Sequence, residues 1–226
     1  KSLSENNLQF HIISKYPQSE NSVAAIFASS LEKLQQKKLY GYLVHHFEFY
    51  QSHPQLWEKM KDLKAEGKID KIGFSLYNTD QLQYLLDNEV VFDVLQFPYN
   101  LFDRQFDTYL LYLKQCGVEI HTRSVFLQGL FFKNVRKLTD KLLPMKKYLE
   151  KLHEYCGISG ISMEQLALNY VVSHPNIDGV LIGVDNCQQL QANVDALQNG
   201  LRQEDIDFIS SINVSEKELL NPVNWK

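Results

Sequence analysis

Short apolar or β-branched runs alternate along the whole chain with longer stretches of helical period, the pattern of a parallel sheet covered by helices. The runs predict strands over Phe10–Lys15, Tyr40–His45, Ile69–Ser75, Phe92–Phe97, Val118–Arg123 and Ile177–Gly183. Between the first two, Val23, Ile26, Phe27, Leu31 and Leu34 keep to one stripe of a helix. The next helix has Pro54 in a first-turn position, Leu56, Met60 and Leu63 as its stripe, and Gly67 as a left-handed stop. Ser162-x-x-Gln165 has the form of a capping box before Met163, Leu166, Ala167, Tyr170 and Val171. Further helices are expected near Gln188–Leu197 and Glu204–Ile212, and Tyr109, Tyr112 and Leu113 read as a packing face.

A closed barrel of parallel strands needs eight, so the predicted strands fall short of one. A doubly wound open sheet is the alternative, but its nucleotide-binding form would carry a Gly-rich turn after an early strand, and neither G-x-G-x-x-G nor G-x-x-x-x-G-K occurs. The chain opens on Lys1, with its first strand about ten residues in. The expectation is one domain over residues 1–226, a (β/α)8 TIM barrel missing about its first two βα units. Such a barrel leaves edges at Phe10–Lys15 and Ile177–Gly183 without a neighbour, so this chain by itself is expected neither to fold nor to be active.

With 226 residues, 44% hydrophobic and 12% aromatic, the chain can bury one sizeable core. Its 23 Lys+Arg against 27 Asp+Glu give a formal charge of −4 with no long block of either sign, which argues against nucleic acid or anionic lipid as partners. Cys116, Cys156 and Cys187 lie far apart and form no C-x-x-C pair, as expected of reduced thiols. No apolar run reaches the ~18 residues of a membrane span. The polar start Lys1–Glu5 has no signal-peptide core, so a cytoplasmic location is expected.

In a (β/α) barrel the chemistry sits at the C-terminal ends of the strands, and here those ends are polar: Lys15, His45, Ser75, Gln96 and the pair Arg123-Ser124. Taken alone, a strand-end Lys15 is as well placed on a solvated rim, and Gln96 can be a satisfied core amide. Neighbours on a strand face opposite ways, so His45 and His46 do not suggest a metal, and no carboxylate or Cys stands at ligand spacing.

In this order and spacing, the segments GYLVHH (41–46), GKIDKIGFS (67–75), LQFPYN (95–100), RSVFLQGL (123–130) and LIGVDNCQQLQANV (181–194) resemble aldo/keto reductases. The likeness covers nearly the whole chain. It implies reduction of an aldehyde or ketone, a small-molecule carbonyl substrate, by hydride from NADP or NAD. Lys15 matches the lysine that lowers the pKa of a proton-donating tyrosine from about 10, and His45 the histidine that orients the carbonyl. The tyrosine and its companion Asp would precede Lys1. Tyr16 lies on the opposite face of the strand from Lys15 and is a poor substitute. The resemblance further implies cofactor contacts from Ser75, Gln96, Arg123, Ser124, Leu127, Gly129, Gly183, Asp185, Gln189 and Asn193. The pyrophosphate is expected against the loop Ser124–Leu130 and the helix start after Gly183. Two positions depart from the family pattern: Leu76 stands where Asn is frequent, and Arg123 where an aromatic ring stacks on the nicotinamide. None of the residues at the adenosine-phosphate end is basic, which leaves NADP against NAD open. A non-catalytic dinucleotide-binding sensor or subunit and an inactive scaffold are the rival readings; the substrate and the oligomeric state are not legible.

Overall fold

A computed structural model describes residues 10–19 and 21–225, so the polar start Lys1–Glu5 lies outside the described residues. All six expected strands form, as β1 (Ile13–Tyr16), β2 (Leu39–Val44), β3 (Ile69–Ser75), β4 (Val94–Pro98), β5 (Glu119–Arg123) and β6 (Gly179–Val180). They are ordered along the sheet as along the chain. The chain divides into two compact units: the part up to Phe97 with Tyr112–Ile120, and Pro98–Leu111 with the part from His121 onward.

In the first unit β1, β2, β3 and β4 pair in parallel, with Tyr16 opposite Val44, Val44 opposite Phe74, and Ser75 opposite Gln96. Its helices are α1 (Val23–Leu34), α2 (Phe47–Ser52), α3 (Gln55–Ala65) and α4 (Thr79–Asp87). Helix α1 begins where the side chain of Ser22 accepts from the Ala25 N–H and buries Val23 and Phe27. Helix α3 buries Leu56, Trp57, Met60 and Leu63, with Pro54 one residue before its first turn. It stops at Gly67, whose φ of 73° lets Gly67 and Lys68 donate back to the carbonyls of Lys64 and Leu63. Phe74 leaves the sheet on the helix side and meets Trp57, Tyr50 and Phe47, at ring-centroid separations of 4.5, 5.0 and 6.4 Å.

Several expectations are corrected here. Helix α2 was not foreseen, because a single aromatic turn-and-a-half shows no period. The first strand starts later than Phe10, which is 59% exposed. Of the packing face, Leu113 is buried but Tyr112 is 49% exposed, since it points away from the sheet.

The second unit holds α5 (Asp107–Gln115) as far as Leu111, then α6 (Lys146–Ser159), α7 (Met163–Val172), α8 (Cys187–Ala196) and α9 (Gln203–Ser211). Strand β6 is much shorter than Ile177–Gly183. It pairs only His121 with Gly179 and Thr122 with Val180, and the ladder ends when the Leu181 N–H reaches the Thr122 carbonyl at 2.7 Å. The reason lies in its partner: Ser124 turns left-handed at φ 64°, so β5 offers no further strand. The capping box at α7 is half made. Ser162 accepts from the Gln165 N–H at 3.0 Å, while the Gln165 side chain goes instead to the carbonyls of Asn199 and Gly200. Arg104 caps the far end of α9, donating to the carbonyls of Ile209 and Ile212.

Candidate functional site

In the first unit the polar residues gather where the strands end. Lys15, half-buried, donates from Nζ to Ser75 Oγ at 3.0 Å, reaching across β2 to β3. Ser75 and its register partner Gln96 are each 1% exposed. The Oε1 of Gln96 is buried and accepts no hydrogen bond from any described residue. A buried carbonyl oxygen left without a donor costs on the order of 1–3 kcal/mol, which a ligand N–H would recover. His45 follows β2, its N–H on the Tyr16 carbonyl at 3.1 Å. Its ring lies 4.5 Å from that of His46. The expectation that the two rings face opposite ways fails because the strand ends at Val44 and His46 already caps α2. Tyr16 is 3% exposed, and its hydroxyl donates to the carbonyls of Ser19 and Asn21.

In the second unit a cavity of about 680 Å³ opens beside the end of β5. Of the expected cofactor residues, Arg123, Ser124, Gly129, Gly183, Asp185, Gln189 and Asn193 line it. Leu127 does not, being fully buried beneath the loop. Ser75 and Gln96 belong to the first unit. The volume is that of a pocket for a small organic ligand.

The loop from Ser124 to Gly129 is strained in a way that arranges its amides. Ser124, Leu127, Gln128 and Gly129 all have positive φ, at 64°, 45°, 48° and 76°. For the three that are not glycine this costs free energy, which the surroundings must supply. Two short turns help, Leu127 to Ser124 at 2.8 Å and Gly129 to Phe126 at 2.9 Å. Asn100 helps more: buried, it donates from Nδ2 to the Ser124 carbonyl at 3.1 Å while its Oδ1 accepts from the N–H groups of Phe102 and Asp103. The backbone amides of Val125, Phe126 and Gln128, all in the cavity lining, have no acceptor among the described residues. Such a nest of free N–H groups beside one guanidinium, Arg123, suits an anion. Gly183 leaves open space, since a Cβ built there meets nothing within 4 Å.

Across the cavity, α8 begins at Asn186, whose side chain accepts from the Gln189 N–H at 2.8 Å. The Gln189 side chain in turn accepts from the Asp185 N–H at 2.7 Å. Asn193 is 6% exposed, and its side chain makes no hydrogen bond to a described residue. Glu164, in the first turn of α7, also lines the cavity and was missed; an acid there reads in sequence as ordinary helix-dipole complement. Asn100 stands in the LQFPYN segment, where nothing in its local sequence announces a brace for a loop 24 residues on.

A profile described as the Aldo/keto reductase family matches residues 7–214. The chain is 25% identical over 210 residues to the NADH-specific methylglyoxal reductase of Escherichia coli, covering 83% of this chain and 63% of that protein. To the glyoxal reductase of Bacillus subtilis it is 26% identical over 210 residues, covering 91% and 68%. To L-galactose dehydrogenase of Arabidopsis thaliana it is 27% identical over 174 residues, covering 72% of this chain and 54% of the plant protein. The chain thus spans between about half and two thirds of the length of these relatives. Among solved structures, a Bacillus halodurans aldo-keto reductase in its holo form superposes with a TM-score of 0.73 at 19% identity, over 96% of this chain and 77% of that one. That likeness carries the fold, an α/β fold on a parallel sheet, and the profile carries the family: the chain belongs to the aldo/keto reductase family.

Proposed function

We propose that the protein reduces an aldehyde or ketone with NADH or NADPH. The observation that carries this reading is the strand-end group of Lys15 on Ser75 beside Gln96, whose buried Oε1 has no donor among the described residues and could take one from a carboxamide N–H. The bound dinucleotide supplies the hydride. In the first unit, Gln96 and Ser75 suit a carboxamide. In the second unit, the amides of Val125, Phe126 and Gln128, with Arg123, suit phosphates, and Asn193 and Asp185 an adenosine. His45 donates a ring N–H to the substrate carbonyl oxygen and so favours the charge that grows there. Lys15, as an ammonium, acidifies the hydroxyl that protonates that oxygen, which the resemblance assigns to a tyrosine upstream of Lys1. This reading takes the six strands as six of the eight in a (β/α)8 barrel.

Two relatives are named for glyoxal and methylglyoxal, so small dicarbonyl compounds are the first substrates to try. With the full-length protein, NAD(P)H consumption should depend on such a carbonyl. Lys15→Met should lower kcat by about 10²–10⁴ while dinucleotide affinity stays within a few-fold, because the lysine acts on proton transfer. An unchanged kcat would remove Lys15 from the chemistry.

A further inference from the structure

The second-unit cavity carries more negative charge than a phosphate-rich ligand would call for. Of its lining residues Arg123 is the one cation, while Glu164 and Asp185 are both acidic. Neither carboxylate makes an ion pair or side-chain hydrogen bond with a described residue. They sit at the helix side of the cavity, in the first turn of α7 and just before α8, whereas Arg123 stands at the end of β5 against the Ser124 turn. The cation therefore belongs to the amide-lined loop, and the acids to the other wall. Between them in character is Asn193, buried and with no side-chain hydrogen bond to a described residue, an amide suited to a nucleoside edge.

We infer that this cavity selects NADH over NADPH, with Asp185 and Glu164 as the residues that exclude a 2′-phosphate; the inference rests on the dinucleotide reading above. The two cofactors differ only at the ribose 2′ position. A hydroxyl there can donate to a carboxylate, which is how an acidic residue serves NAD sites. A phosphate there adds nearly two negative charges and can donate little, so it meets like charge from the exposed Asp185 and the half-buried Glu164, a repulsion that falls with added salt. The Asp185 backbone is held by Gln189, so the carboxylate cannot simply leave with a moving loop.

Calorimetric titration of the full-length protein with each dinucleotide tests this without reference to turnover. NADH should bind about tenfold or more tightly than NADPH, and adenosine 5′-monophosphate should compete for the site better than adenosine 2′,5′-bisphosphate. The double variant Asp185→Asn, Glu164→Gln, which keeps shape, should move the NADH-to-NADPH affinity ratio toward NADPH by about tenfold. Equal affinities or a preference for NADPH in the unaltered protein overturn the inference and leave the dinucleotide reading standing, as does a double variant with an unchanged ratio. If the protein melts cooperatively yet binds neither dinucleotide, the reading itself falls, and the inference with it. The mononucleotide competition is made on the unaltered protein and so decides the matter even if the variants fail to fold.

Discussion

Two glycines show how differently single residues carry this structure. A Cβ at Gly73, in the middle of β3, would stand 1.7 Å from the Val94 carbonyl oxygen, which is backbone and cannot step aside without opening the β3–β4 ladder. Gly73→Ala should therefore cost about 3 kcal/mol or more, or abolish folding, as read by urea unfolding; a loss under about 1 kcal/mol would mean the strands are not this close. Gly183 is the reverse case. It has no positive φ and open space around it, so a large side chain there is tolerated by the fold and projects into the cavity. Gly183→Trp should leave the melting temperature within a few degrees and weaken NAD(P)H binding at least about tenfold in a fluorescence titration. Retained affinity would take the cavity out of the cofactor site. Both glycines look alike in sequence; only the neighbours across space tell them apart.

At the scale of elements, the start of α9 is anchored by a buried carboxylate. Asp205 has no exposed surface and receives Arg202 through its backbone N–H at 2.8 Å and its guanidinium at 2.9 and 3.1 Å, and the Tyr155 hydroxyl at 2.7 Å. The Arg202 hydrogen bonds hold the carboxyl down at about 2 against an ordinary 3.8, overcoming the upward push of burial, and Tyr155 adds to them. A folded-state value below the unfolded one means the stabilisation is complete above pH 3.8 and is lost as the pH falls toward 2. Asp205→Asn should lower stability at neutral pH and flatten the acid limb of the stability curve in that window; an unchanged limb would show that the carboxylate is not held in this way. The elements themselves were largely legible. Buried parallel strands are continuous apolar runs, and the stripes of α1 and α3 are long enough to show a period. Helix α2 was not, being too short for one. The length of β6 was not either, since LIGV continues apolar past the point where Ser124 turns its partner strand away.

For the whole molecule, the family and the strand-end residues could be read because each motif is a local string, and seven of the ten expected cofactor residues do line one cavity. What stayed hidden depends on chain segments distant in sequence. Leu127 is drawn under its loop by a left-handed backbone, Glu164 arrives from another helix, and Asn100 braces a turn that lies beyond β5. None of these has a local signature. The central claim is that this family member moves a hydride to a carbonyl carbon, and the most direct measurement follows the hydride. Full-length protein is incubated with methylglyoxal and NADH carrying deuterium at the transferable nicotinamide position, and the alcohol formed is examined by mass spectrometry. The account predicts one deuterium at the new carbinol carbon. A protein that is folded and binds the labelled dinucleotide but forms no deuterated alcohol, from this or any other small carbonyl offered, would contradict it and leave a dinucleotide-binding sensor in its place.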